Sequence, residues 1–209
     1  MTDVQSSKLS GKKVAILAAD GFERSELFAP LEALRAAGAT VDIISEKTGE
    51  LQAFEHHDKA DTIAVDKTFD QVSASDYDAI HIPGGLFSPD KVRVTESALK
   101  IVREAFDAGK AIGAICHGPW VLINAGVASG LTLTSVQNIR MDLENAGAQV
   151  VDREVVVDDG VVTSRTPEDL EAFCGKLVEE IAEGRHDPRE RRAGNTTMAS
   201  PPDEPRSFA

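Results

Sequence analysis

The chain has few cysteines, few basic residues and no long hydrophobic run, and each scarcity excludes a class of protein. Two cysteines in 209 residues, with no C-x-x-C pair and no Cys/His cluster at zinc spacing, argue against a disulfide scaffold and a zinc module. With 22 Lys and Arg against 35 Asp and Glu, the net charge is −13. An acidic protein is repelled by phosphate backbones and anionic lipids, so we expect neither nucleic acid nor membrane as a partner.

The same scarcities favour a cytoplasmic, globular protein. No apolar run reaches the roughly 18 residues that a membrane-spanning helix needs. The first residues, MTDVQSSKLSGKK, have no apolar core, so we expect no signal peptide. Two isolated thiols suit a reducing compartment. A hydrophobic content of 42% over 209 residues is enough for one domain with a sizeable core.

Composition divides the chain into one folded domain and two ends. From Arg185 onward Arg, Pro, Asp, Glu, Ser and Thr predominate, with almost no large apolar residues. Such a segment cannot bury enough surface to offset its ordering entropy. We therefore predict a disordered tail at 185–209, a disordered start at 1–11 and a domain at 12–184.

Within that domain, buried strands alternate with helical segments. The pattern predicts a single-domain α/β fold, a doubly wound and mostly parallel sheet sandwiched by helices as in flavodoxin-like proteins. The segment 46–61 is polar and is interpreted as a loop with possible short strands, followed by an exposed strand at 62–69. The predicted buried strands are Val14–Ala19, Val41–Ser45, Ala79–Pro83 and Ala111–Ile115.

The most informative stretch joins a strand to a helix through a cysteine. Ala111–Ile115 is apolar without alternation, as in a strand buried on both faces. Cys116 follows, Pro119 occupies the favoured first position of a helix, and Gly126 stands where a helix commonly ends. This order predicts a nucleophile elbow with Cys in place of Ser.

The elbow has a chemical consequence for Cys116. A helix N-terminus presents unpaired N–H groups and a partial positive charge, which can lower a thiol pKa below its free value of about 8.5. We expect Cys116 to titrate below neutral pH; the alternative is an ordinary buried cysteine. Cys174 falls on the apolar stripe of the last helix, so we expect it to belong to the core and to be unreactive.

The histidines outside the elbow carry no predicted chemistry. His81 lies within a buried strand and is interpreted as a hydrogen-bonded structural residue. His56 and His57 lie in a polar loop where nothing marks them as ligands. The sequence predicts no metal and no cofactor.

Three segments should meet at one edge of the sheet, because sites in such folds gather beyond the carboxyl ends of parallel strands. Asp20, the pair Gly84-Gly85 and Cys116 each follow a predicted strand. Without a Cβ, the glycines let backbone N–H groups approach a substrate closely, although a tight turn alone would also explain them.

Four stretches resemble one known family in their order and spacing along the chain: Asp20–Glu23 with Glu26, Ile82–Gly85, Ala114–Pro119 at the elbow, and Ser164–Pro167. They resemble the PfpI intracellular-protease family of the DJ/PfpI superfamily, which has a class I glutamine amidotransferase-like fold. The resemblance spans roughly Lys12 to Glu183.

This resemblance implies roles around Cys116. Glu26 matches a family glutamate beside the cysteine; it would favour thiolate only if it holds a proton and donates it. The alternative is an exposed glutamate that balances the helix dipole. Glu23 matches an acid that lines the site, or is simply solvated, and Gly84 is assigned to substrate binding. The backbone N–H groups of Gly85 and His117 would form an oxyanion hole.

The resemblance also implies a Cys-His-acid triad that is completed across subunits. His117 is the candidate general base and needs an orienting acid. In the family an acid after the glycine turn of a neighbouring subunit fills this role, and Asp90 aligns with it. The family usually has Glu there, and this chain has one more residue before Pro89. A homo-oligomer, dimer or larger, is therefore expected.

Three functions remain open from the sequence. The resemblance implies a stress-protection enzyme, peptidase-like or deglycase- and glyoxalase-like, whose substrates are small carbonyl compounds and glycated proteins or peptides. A second hypothesis is a non-enzymatic redox sensor or chaperone-like protein that acts through oxidation of Cys116, since an accessible low-pKa thiol oxidises first. A third is an amidotransferase-like domain that serves another enzyme.

Overall fold

A computed structural model describes residues 8–185 of the chain, which contain strands and helices in alternation. The strands are β1 (Lys13–Leu17), β2 (Phe22–Glu23), β3 (Thr40–Ser45), β4 (Glu50–Glu55), β5 (Asp58–Ala64), β6 (Lys67–Thr68), β7 (Ala79–Ile82), β8 (Ala111–Ile115), β9 (Thr132–Leu133), β10 (Gln149–Val150), β11 (Val155–Asp158) and β12 (Val161–Ser164). The α-helices are α1 (Arg24–Ala36), α2 (Phe87–Val92), α3 (Glu96–Asp107), α4 (Pro119–Ala125), α5 (Arg140–Asn145) and α6 (Leu170–Glu183).

The central sheet has the order β11-β12-β8-β7-β1-β3-β6. Every neighbouring pair in it is parallel except β11 with β12, which form an antiparallel hairpin. Helices α1 and α6 contribute to the core on one face, whereas α3 and α4 contribute to the core on the other. The predicted doubly wound, mostly parallel α/β fold is confirmed.

The apolar strands form the middle of this sheet because both of their faces are covered. All five residues of β8 and all four of β7 are buried, including His81. A strand between two helical layers has no solvent face, which explains why its sequence does not alternate.

The strand order places a topological switch point between β1 and β7. The chain runs from β1 through α1 to β3 on one side, and from β7 to β8 and β12 on the other. Beyond the carboxyl ends of strands at such a point the connecting loops diverge and leave a crevice. The segments after β1, β7 and β8 therefore border a common crevice.

The polar segment 46–69 is more regular than predicted. Where we predicted a loop with possible short strands at 46–61 and an exposed strand at 62–69, it contains the antiparallel pair β4 and β5, which joins β2 in a separate three-stranded sheet. Leu51 and Ala53 of β4 are buried, while most of β5 is exposed. A strand with one solvent face is mostly polar, and that polarity hid the hairpin from a prediction based on apolar runs.

Residues 8–11, which precede the predicted boundary at Lys12, also belong to the folded domain. Leu9 is fully buried, and its N–H donates to the carbonyl of Ala37 at 2.8 Å. Contact with the end of α1 orders residues 8–11, so the prediction of disorder is wrong for them. Residues 1–7 and 186–209, where we also predicted disorder, lie outside the described residues.

Asp90 lies in the short helix α2, after the glycine turn. Pro89 falls in the first turn of that helix, where a missing N–H costs little. Among the helices of the described part, none has the length and apolarity needed to cross a membrane.

Candidate active site

Cys116 stands in the sharp turn between β8 and α4 with a positive φ of 60°. A positive φ is uncommon for a residue with a side chain and is typical of the nucleophile elbow. The turn requires glycine two residues later, because a Cβ on Gly118 would lie 2.6 Å from the carbonyl oxygen of Ile82. The predicted strand–turn–helix arrangement is therefore present.

Glu26 lies in the first turn of α1, and its side chain is completely buried. Its carboxyl group lies against the Cys116 thiol and the backbone of Gly84. Gly84 must lack a side chain here, because its Cβ would come within 2.6 Å of the Cβ of Cys116. The alternative of an exposed, dipole-balancing glutamate is excluded by this burial.

The environment of Glu26 favours its protonated form. Burial raises its pKa to about 8, and the negative charge of Glu23 adds to the effect. Neither carboxyl oxygen makes a hydrogen bond of normal geometry to the described residues. An ionised carboxylate that is buried without a counter-ion costs roughly several kcal/mol, which favours the protonated carboxyl group.

Opposing effects act on the Cys116 thiol. Burial raises its pKa, and repulsion by an ionised Glu26 would raise it further. The backbone N–H groups of Gly85 and His117 hydrogen-bond the sulfur and lower the pKa. The direction set by burial is opposite to our expectation of a thiol that titrates below neutral pH. That expectation now depends on a protonated Glu26, which removes the repulsion and can donate to the thiolate.

His117 places its ring beside the sulfur, with Nδ1 3.3 Å from the Sγ of Cys116. Burial lowers the pKa of His117, which favours a neutral imidazole that can accept a proton. The ring also packs edge-on against Trp120, with centroids 5.1 Å apart. The Trp120 contact restricts the orientation of the His117 ring.

Within one chain, Asp90 does not reach His117 directly. Its Oδ1 pairs with Nη2 of Arg93 at 2.9 Å. The guanidinium of Arg93 lies over the ring of Trp120, 4.5 Å from its centroid, and Trp120 contacts His117. Asp90 is therefore connected to His117 in its own chain only through two intervening side chains.

Beside the thiol is a pocket of about 290 Å³. Five residues assigned to the site from the sequence meet there: Glu23, Glu26, Gly85, Cys116 and His117. Its other lining residues are His56, His57, Leu86, Asn138 and Pro167.

The sequence reasoning missed the hairpin histidines. His56 and His57 lie between β4 and β5, and that hairpin extends to the pocket. The backbone N–H of His56 donates to Oε2 of Glu23 at 3.1 Å, which fixes the hairpin end to the site. If the β4–β5 hairpin had been predicted, the pairing of β4 with β2, which contains Glu23, would have indicated that His56 and His57 lie near the site.

Asp20 does not contribute to the pocket, although it follows β1 as expected. Its Oδ1 accepts from the backbone N–H of Gln52 at 2.9 Å, and its other oxygen pairs with Lys47. Asp20 therefore anchors β4 and is structural. Within residues 8–185, no group of three or more His, Cys, Asp or Glu side chains is arranged to hold a metal ion.

Comparison with known proteins places this geometry in a family. Residues 12–180 match the model of the DJ-1/PfpI family. Deglycase TK1284 of Thermococcus kodakarensis is 43% identical over 79% of this chain and 97% of its own length. Protein/nucleic acid deglycase 2 of Escherichia coli is 44% identical over 78% of this chain and 93% of its own. General stress protein 18 of Bacillus subtilis is 42% identical over 78% of this chain and 94% of its own length.

Solved structures agree with the sequence comparison. DJ-1beta of Drosophila melanogaster superposes with a TM-score of 0.74 at 31% identity, covering 90% of this chain and 99% of that one. Oxidized DJ-1 of Toxoplasma gondii gives a TM-score of 0.71 at 27% identity, and the match covers 83% of this chain and 95% of that one. Residues 12–180, which the family model matches, include the strands and helices that build the Cys116 pocket, and the chain belongs to the DJ-1/PfpI family.

Proposed function

We propose that this protein is a cysteine-dependent hydrolase that removes carbonyl adducts from amines and thiols, a deglycase-type activity. The observation that carries the proposal is Cys116 at a strained elbow, with a buried Glu26 on one side and two backbone N–H groups on the other. The names of the relatives, two deglycases and a stress protein, support the same class of activity.

The amine or thiol first leaves the carbinol carbon of the adduct with a proton while the carbinol O–H loses one and becomes a carbonyl, and the Cys116 sulfur then adds to that carbonyl carbon. A C–S bond forms, and the π electron pair moves onto the carbonyl oxygen. The N–H groups of Gly85 and His117 are the donors available to that oxygen. The proton on that carbon then moves to the neighbouring carbonyl carbon through an enediol, which leaves a thioester. Water adds to the thioester carbonyl, breaks the C–S bond, and releases a 2-hydroxy acid and the Cys116 thiol.

Proton transfer in these steps is assigned to His117 and Glu26. A neutral His117, 3.3 Å from the sulfur, can accept the thiol proton and deliver it to the leaving group. Glu26 stays protonated and stabilises the thiolate by donation. For Asp90 we propose the role of the acid that orients His117 of a neighbouring subunit in a homo-oligomer.

The pocket limits the substrate near the sulfur to a small group. A volume of about 290 Å³ accommodates a short carbonyl fragment, while the amine or thiol that carries it extends outward past Glu23 and the two hairpin histidines. Glycated proteins, glycated peptides and small carbonyl compounds remain the proposed substrates. The name of the Escherichia coli relative includes nucleic acid, which conflicts with our expectation of no nucleic-acid partner. A cytoplasmic location remains a proposal.

The test uses pre-formed adducts of methylglyoxal with N-acetylcysteine and N-acetylarginine. The rate of methylglyoxal removal is measured as the rate at which the unmodified N-acetylcysteine or N-acetylarginine is released. Cys116→Ala should lower the rate at least about 10³-fold, since no other nucleophile is placed to replace it. Cys174→Ala is the matched control and should remain within about twofold of the parent protein. Equal rates for Cys116→Ala and the parent would contradict the proposal.

A second candidate function is redox sensing at the same residue. The Toxoplasma gondii relative is named as an oxidized protein, which favours this function. Cys116 and Cys174 form no disulfide, so oxidation would end in sulfenic or sulfinic acid. Mass spectrometry after peroxide treatment tests this hypothesis. Oxidation of Cys116 at stoichiometric peroxide, without adduct hydrolysis by the reduced protein, would favour the sensor over the enzyme.

A further inference from the structure

His81 is a fully buried histidine at the centre of β7. It stands opposite Gly113 of β8 in the sheet register, and its ring lies 5.5 Å from that of Phe173. Burial lowers the pKa of His81 to about 4, so the ring is neutral at physiological pH. A neutral imidazole in an apolar core is costly unless its polar atoms are used.

One of those polar atoms contacts the backbone of Glu26. Nε2 of His81 lies 2.8 Å from the carbonyl oxygen of Glu26. A carbonyl oxygen can only accept a hydrogen bond, so Nε2 carries the ring proton and donates it. This contact joins the middle of β7 to the first turn of α1.

Pro30 explains why that carbonyl is available. In an α-helix the carbonyl of residue i accepts from the N–H of residue i+4. For Glu26 that residue is Pro30, which lies inside α1 and has no N–H. The Glu26 carbonyl therefore lacks its normal helical partner, and the ring of His81 takes the place of the missing donor.

The segment from His81 to Gly84 contacts both the backbone carbonyl and the side-chain carboxyl group of Glu26. His81 in β7 binds the backbone carbonyl, and Gly84, three residues later, contacts the carboxyl group. We propose that His81 is a positioning residue, whose Nε2–H replaces the donor missing at Pro30 and so holds the Glu26 carboxyl against Cys116. This inference deepens the proposed function, because it concerns the residue that supports the thiol.

A double-mutant experiment tests whether the Nε2–H of His81 replaces the backbone N–H that Pro30 lacks. The measurement is the rate of Cys116 alkylation against pH, read peptide by peptide, which does not depend on the identity of the substrate. His81→Leu should move the midpoint toward that of Glu26→Ala by at least half of the difference. Adding Pro30→Ala restores an N–H to the helix and should return the midpoint to that of Pro30→Ala alone.

Two further variants separate positioning from general stability. His81→Gln, whose side-chain amide can donate at a similar reach, should keep the parent midpoint. Ile80→Ala, in the same strand but in the core on the opposite face of the sheet, should lower the melting temperature without moving the midpoint.

The inference is overturned if His81→Leu leaves the midpoint unchanged, or if Pro30→Ala fails to restore it. If His81→Leu does not fold, the double variant must fold and have the midpoint of Pro30→Ala alone, and failure to do so also overturns the inference. A protein that follows these alkylation results but hydrolyses no adduct would refute the proposed function alone.

Discussion

The two cysteines are both partly buried, yet their surroundings differ in kind. Cys174 lies on α6 and packs against the core formed with α1. Burial alone raises its pKa to about 11. Around Cys116, by contrast, burial acts together with a buried acid and two backbone N–H groups, and an imidazole lies beside the sulfur.

Burial by itself does not distinguish the thiol that we propose to be reactive from the thiol that we propose to be inert. Burial raises the pKa of both cysteines, because a thiolate is poorly solvated in either place. The difference lies in groups that can stabilise the negative charge, and at Cys116 they come from α1, the loop after β7 and the elbow itself. A helix surface such as that around Cys174 supplies no comparable groups.

The largest expected effect is the difference in reactivity between the two thiols. At pH 7 Cys116 should react with iodoacetamide at least about 100-fold faster than Cys174, since a pKa of about 11 leaves Cys174 almost fully protonated. We still predict a midpoint below neutral pH for Cys116. Peptide-resolved mass spectrometry from about pH 5 to about pH 9, a range that spans the free thiol value of about 8.5, gives both quantities. Equal rates would remove the distinction between the two regions.

Substitutions at Glu26 should make Cys116 resemble Cys174. Glu26→Ala removes the donor to the thiolate, and alkylation of Cys116 at pH 7 should fall by roughly 30-fold. Glu26→Gln keeps a donor and should stay within about threefold of the parent. If Glu26→Gln instead accelerates alkylation sharply, the carboxyl group is ionised in the parent protein and the proposed role is wrong.

The next effect tests whether the Cys116 region extends into a second subunit. Asp90→Ala should lower adduct hydrolysis about tenfold, because His117 would lose its orienting acid. Mixing it with Cys116→Ala, by unfolding and reassembly, should then restore hydrolysis to about one quarter of the parent level in a dimer, where half of the mixed dimers' sites are complete.

An intrachain role for Asp90 gives a different result. Through Arg93 and Trp120 the residue could orient His117 in its own chain, and every site of the mixture would then remain defective. A monomer in sedimentation would also contradict the role across subunits.

The smallest expected effect is on stability against pH. Glu26 has a raised pKa, about 8 against an ordinary value of 4.5, so between these values the folded chain binds a proton that the unfolded chain has lost. Its contribution is therefore complete at low pH and disappears as the pH rises, by up to about 1.4 kcal/mol per pH unit. His81 acts in the opposite sense, since its pKa is lowered from 6.5 to about 4 and its contribution grows as the pH rises.

Between about pH 6.5 and 8, the pH dependence of the free energy of unfolding therefore reports Glu26 and not His81. Urea unfolding of the parent and of Glu26→Gln at several pH values in this window gives the difference in free energy of unfolding. The parent should lose stability relative to Glu26→Gln as the pH rises. Parallel slopes would mean that Glu26 is already ionised in the folded protein.

Features that depend on neighbouring residues could be predicted from the sequence. The elbow was one, because strand, cysteine, proline and helix follow each other directly. The predicted structural, hydrogen-bonded role of His81 is supported by its contact with Glu26, but its partner could not be named. That partner lies 55 residues away and is free only because Pro30 removes a donor. The hairpin histidines escaped because a strand with a solvent face resembles a loop.

The layered α/β fold, the position of Cys116 at a strand end and the family could all be predicted without the structure, because hydrophobic periodicity and local turn chemistry depend on consecutive residues. The folded structure was needed to show that Glu26 is buried against the sulfur, that Asp90 pairs with Arg93, and that His56 and His57 border the pocket. Those outcomes depend on distances between segments far apart in the chain. A pKa or a contact at such a site arises from burial and charge that no single segment contains.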